Sequence, residues 1–67
     1  MTKEQKYEAC ELYFKSRGFR THHDKSTYFY VHVPGVGDNV NLSKVELSES
    51  EVERRAELYM AEMMVGN

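Results

Sequence analysis

Between Arg20 and His32 the 67-residue chain carries three histidines, an arginine, a lysine and three aromatic side chains. Imidazole exchanges a proton near neutral pH. His22, His23 or His32 beside Arg20 or Lys25 therefore has the parts of a general acid or base, or of a group that stabilises a phosphodiester. The rest of a catalytic constellation is missing: there is no nucleophile elbow and no carboxylate pair, and the PGVGDN stretch lacks the lysine and following helix of a phosphate-cradling loop. A metal site is also disfavoured. His22 and His23 are neighbours on a strand and point to opposite faces, and His22, His32 and Asp24 show no ligand spacing. The chain reads as a non-enzyme with no catalytic residue, no metal and no cofactor.

The elements that position these residues follow from periodicity. Thr2 with Gln5 forms a capping box that opens a helix over residues 3–17. Lys15 and Arg17 suit its last turn, Gly18 suits the left-handed position after it, and Phe19 can fold back on Phe14. On a helical wheel Tyr7, Cys10, Tyr13 and Phe14 share one face, while Glu4, Glu8, Glu11 and Lys15 share another. Residues 19–33 read as a β-hairpin around a polar turn at Asp24, Lys25 and Ser26. Period-two alternation puts Thr27, Phe29, Val31 and Val33 on one face, with Tyr28, Tyr30 and His32 on the other. Pro34 ends the hairpin, and Val40 and Leu42 suggest a short third strand over residues 39–43.

Two overlapping cap signals precede the last helix, Ser43 with Glu46 and Ser48 with Glu51. The second is favoured, with a turn or 3₁₀ segment before it and the helix over residues 49–64. Val52, Ala56, Tyr59, Met60 and Met63 make its apolar stripe. Leu58, Met64 and Val65 lie off that stripe, as an apolar edge open to a partner.

The expected fold is α+β in the order α-β-β-β-α, one small domain with both helices on one face of a three-stranded antiparallel sheet. The other sheet face stays open. It should carry Arg20, His22, Tyr28, Tyr30 and His32, either as ordinary cross-strand aromatics or as the anchors of a binding surface. A second candidate surface is the acidic helix with Glu51, Glu53 and Glu57.

Charge refines the choice of partner. Residues 1–45 hold seven Lys/Arg against five Asp/Glu, and residues 46–67 hold six Glu against two Arg, so a net −2 conceals halves of +2 and −4. Polyanion binders draw affinity from phosphate neutralisation, so this balance makes nucleic acid the less favoured partner and a protein the preferred one, with a homodimer as a further option. One cysteine excludes an internal disulfide, no apolar run reaches a membrane span, and the charged N-terminus does not resemble a signal peptide. The expected location is cytoplasmic.

The α-β-β-β-α order is similar to that of the double-stranded-RNA-binding domain and of the small HicA-type toxin ribonucleases. Such an RNA-binding domain would open its second helix with a lysine-rich phosphate clamp, where this chain has LSESEVERR. A HicA-type toxin would show a glycine-serine-histidine turn after the first strand, where this chain has Gly18-Phe19 and His22-His23. No site residue is carried over from either. A small, acidic domain without a catalytic signature also looks like the accessory proteins with which phages redirect host factors.

Overall fold

A computed structural model describes residues 1–24, 26–33 and 43–65 of the chain. The first helix, α1 (Lys3–Lys15), begins at the expected capping box. The Gln5 N–H donates to Thr2 Oγ1 at 3.2 Å, and the Thr2 N–H donates to Gln5 Oε1 at 2.9 Å. Two orphan amides of the first turn are satisfied in this way. The exit follows the glycine-capped pattern. The Phe19 N–H reaches back to the Phe14 carbonyl and the Gly18 N–H to that of Lys15, both at 3.0 Å, and Gly18 takes φ +85°. A side chain there would be strained. Phe19 folds onto Phe14 with ring centroids 5.9 Å apart.

Strands β1 (Arg20–His23), β2 (Phe29–Val33) and β3 (Ser43–Glu46) form an antiparallel sheet in the order β1-β2-β3. Arg20 faces His32 and His22 faces Tyr30 across β1 and β2, while Tyr30 faces Glu46 and His32 faces Lys44 across β2 and β3. The third strand corrects the sequence reading. The strand expected over residues 39–43 lies outside the described residues apart from Ser43, and the stretch read as a turn or 3₁₀ segment pairs with β2 instead. Leu47 continues the ladder through its N–H, which donates to the Phe29 carbonyl at 2.9 Å.

Helix α2 (Glu49–Val65) starts at the second cap signal, where Ser48 Oγ accepts from the Glu51 N–H at 3.3 Å. Lys3 pairs with Glu49, Lys6 with Glu53 and Arg17 with Glu62, so residue numbers climb together along both helices and α1 and α2 run parallel. Both rest on one sheet face, where Tyr7 and Cys10 of α1, Phe29 and Val31 of β2 and Val52 of α2 form a single buried cluster. Phe29 is its hub, with the rings of Tyr7 and Phe14 each 6.1 Å away. Val33 and Val45, on the same side, remain substantially exposed, so the core is narrower than the alternation predicts.

Two further expectations are corrected. Met60 and Met63 do not join the core, being 42% and 61% exposed, because buried packing on α2 stops at Val52 and Ala56, with Tyr59 half-buried beyond them. The helix outruns its partner: 17 residues against 13 leave about one more turn at roughly 1.5 Å per residue. Glu11 does not lie on the solvent face of α1. Its carboxylate turns to β1, accepts from Thr21 Oγ1 at 3.4 Å and sits 3.1 Å from His23 Nε2.

Candidate functional site

The register assembles the open face from three strands. One cross-strand row is Arg20, His32 and Lys44; the next is His22, Tyr30 and Glu46. Tyr28, just before β2, extends the second row: its Oη lies 3.3 Å from His22 Nε2 and its ring 5.3 Å from that of Tyr30. All five residues expected on this face, Arg20, His22, Tyr28, Tyr30 and His32, are brought together there. Lys44 and Glu46 were missed, because the stretch that holds them reads locally as a cap and turn. Val45 between them, flanked by alternating polar residues, was the available signal.

The face is a mutually packed mosaic rather than a set of free side chains. Tyr28, Tyr30 and His32 are half-buried, while Arg20, His22 and Lys44 are exposed. The rings of His22 and Tyr28 lie 5.7 Å apart and tilted, and Lys44 Nζ sits 5.8 Å from the Tyr30 ring centre. The adjacent Glu46 carboxylate raises the Tyr30 hydroxyl above its ordinary pKa by favouring the protonated phenol. Arg20, Thr21, His22, His32 and Lys44 surround a shallow depression of about 350 Å³. Such a surface offers hydrogen-bond donors, positive charge and aromatic edges to a docking partner.

His23 belongs to the other side, as alternation predicts. Its ring stacks on Phe29 at 5.5 Å and 9°, Nε2 faces Glu11, and Nδ1 is buried without a hydrogen-bond partner among the described residues. It helps to close the sheet edge of the core and lies apart from His22 and His32. Cys10 is also a packing residue: it is fully buried, and burial pushes its thiol up to about 12, well away from a reactive thiolate.

The acidic helix is a separate surface across the sheet from the open face. Glu51 pairs with Arg55 at 3.0 Å on α2 itself, and Glu53 pairs with Lys6 across the helix seam. The hydrogen bond with Lys6 holds the Glu53 carboxyl below its usual pKa and the Lys6 ammonium above its own. Glu57 is exposed and has no ion-pair partner among the described residues. Above the seam, Met1, Ala9, Leu12, Tyr59 and Met60 line a shallow apolar groove of about 280 Å³.

Among the described residues no three His, Cys, Asp or Glu side chains converge as metal ligands, and no helix is long and apolar enough to cross a membrane. No protein-family model, curated relative or solved structure matches the chain.

Proposed function

We propose that the chain is a non-enzymatic interaction module that docks a protein partner on the open face of its sheet. The observation that carries this reading is the convergence of Arg20, His22, Tyr28, Tyr30, His32 and Lys44 on a face that no described element covers. Tyrosine and arginine are the side chains most often found at the energetic centre of protein interfaces. Here the tyrosines are held in place by each other and by His22, so little side-chain freedom remains to be lost on binding. The acidic residues of α2 contribute less to this reading, because Glu51 and Glu53 already have cationic partners within the fold.

A photo-crosslinking amino acid at position 30, with position 8 on α1 as control, should trap a discrete protein from position 30 alone. Binding of that protein, once purified, should fall by roughly tenfold or more when Tyr28 and Tyr30 are both replaced by alanine, since hot-spot truncations cost about 2 kcal/mol each. Wild-type affinity in the double variant would refute the proposal.

The second reading is single-stranded nucleic acid, favoured by the placement of Tyr28 and Tyr30 beside Arg20 and Lys44. It predicts binding that weakens steeply with salt and is lost in Arg20→Ala.

A further inference from the structure

Most cations of the fold have a carboxylate beside them. Lys3 pairs with Glu49, Lys6 with Glu53, Lys15 with Glu11, Arg17 with Glu62 and Arg55 with Glu51. Arg20 and Lys44 have no such partner among the described residues, and the register sets them on either side of His32 in one row. Arg54 of α2 also has none, but it has no cationic neighbour in a comparable row. Arg20 and Lys44 stand two strands apart, roughly 10 Å between backbones, with only the His32 imidazole between them in the row. The nearest carboxylate of the face, Glu46, stands in the adjacent row opposite Tyr30. What this row lacks is an anion.

We propose that Arg20, His32 and Lys44 form an oxyanion site for a phosphomonoester dianion, presented by a phosphorylated side chain of the protein partner. The inference rests on the sheet face being the docking surface. Three strands supply three kinds of donor to one depression: a guanidinium fork, an imidazole and an ammonium. Two fixed charges, with the His32 imidazole between them, match a group carrying about −1.5 to −2 at neutral pH. A carboxylate brings a single charge and is satisfied by the arginine fork alone. A nucleic-acid strand spreads single charges along its length and would meet a chain of net charge −2, which disfavours a polyanion. His32 stands between Arg20 of β1 and Lys44 of β3, with His22, Tyr30 and Glu46 in the neighbouring row.

The test is amide NMR on the labelled protein at low salt, titrated separately with inorganic phosphate, acetate, blocked phosphoserine and phosphotyrosine amides, and a short oligothymidylate without terminal phosphates. Phosphate and at least one phosphoamino acid should give saturable shifts centred on residues 20, 32 and 44, at concentrations roughly tenfold below acetate, given the larger charge of the phosphate, about −1.5 to −2, against the two cations. Arg20→Ala and Lys44→Ala should each abolish saturation. His32→Gln should weaken phosphate binding where His22→Gln does not.

Shifts scattered over the helix lysines, or equal binding of acetate, would overturn the site. Entry of inorganic phosphate with exclusion of both phosphoamino acids would overturn the phosphoprotein source. Saturation by oligothymidylate at lower concentration than the monoesters would assign the face to nucleic acid instead. Failure here is separable from failure of the docking reading: a protein still trapped from position 30 without phosphate binding overturns the anion site alone, whereas phosphate binding without any trapped protein overturns the docking surface and the phosphoprotein source with it, leaving only an anion site.

Discussion

Phe29 and Tyr30 are adjacent in sequence and opposite in environment, so equivalent substitutions at the two positions test the face assignment on which the candidate site depends. Phe29 is wholly buried, with aromatic neighbours at 5.5, 6.1 and 6.1 Å. Leucine would keep most of the apolar burial but lose the edge and stacking contacts, each worth about 0.5–1.5 kcal/mol, for a total of roughly 1.5–4.5 kcal/mol. Tyr30 is half-buried and has one close tyrosine neighbour, so Tyr30→Leu should cost at most about 1 kcal/mol. Because the chain has no tryptophan, urea unfolding is best followed by far-UV circular dichroism. With a slope of about 1 kcal/mol per molar urea for a small domain, Phe29→Leu should lower the midpoint by roughly 1.5–4.5 M and Tyr30→Leu by no more than about 1 M. A one-residue slip of β2 would exchange the two faces and reverse the order. If Tyr30→Leu costs as much as Phe29→Leu, both the register and the surface built on it are wrong.

Cys10, its thiol pushed from 9.0 to about 12, binds its proton more firmly in the folded state than in the unfolded state, so stability should fall as pH rises from about 9 towards 12. The loss approaches about 1.4 kcal/mol per pH unit in that window, and Cys10→Ala, compared by urea midpoints, should show a correspondingly shallower decline. Glu53 has the opposite sign: with its pKa held below 4.5 by Lys6, its contribution is present above that value and disappears as pH falls below it. Glu53→Gln should flatten the acid limb of a stability profile, and an unchanged limb would deny the pair any role. Met63→Ser should leave the urea midpoint within about 0.5 kcal/mol equivalent, because the side chain is 61% exposed; a large loss would place it in the core after all.

Much of the fold is legible from short-range chemistry. The Thr2 and Gln5 cap, the Gly18 exit with Phe19 on Phe14, and the alternation of Phe29 and Val31 with Tyr30 and His32 are all set by neighbours within a few residues. What was not legible depends on distant partners. Ser43 and Glu46 have cap spacing, yet β2 offers this stretch a ladder, and long-range pairing overrides the local signal. Glu11 lies on the polar side of a helical wheel, and only the arrival of His23 and Thr21 from β1 turns it inward. The apolar stripe of α2 runs through Met60 and Met63, but burial depends on the reach of the core beneath. For the candidate site, alternation identifies the residues of β1 and β2, whereas Lys44 becomes visible only with the true position of β3.

The seam between the parallel helices gives the lopsided charge of the chain a second meaning. Its three ion pairs join residues 46, 47 and 45 positions apart, so all three are made at one alignment of the two helices. Sliding α2 by a turn would break the Arg17–Glu62 pair, yet in one direction it would set Glu53 against Lys3 and Glu57 against Lys6. Exposed pairs add little strength singly, at about 0–1 kcal/mol, and here they hold the two helices side by side rather than fixing a single alignment. An early cationic segment and a late anionic one thus lie against each other in the fold. Three of the six glutamates in the last third of the chain are taken up by this seam, while on the far side of the domain the sheet turns Arg20 and Lys44, unpaired among the described residues, outward.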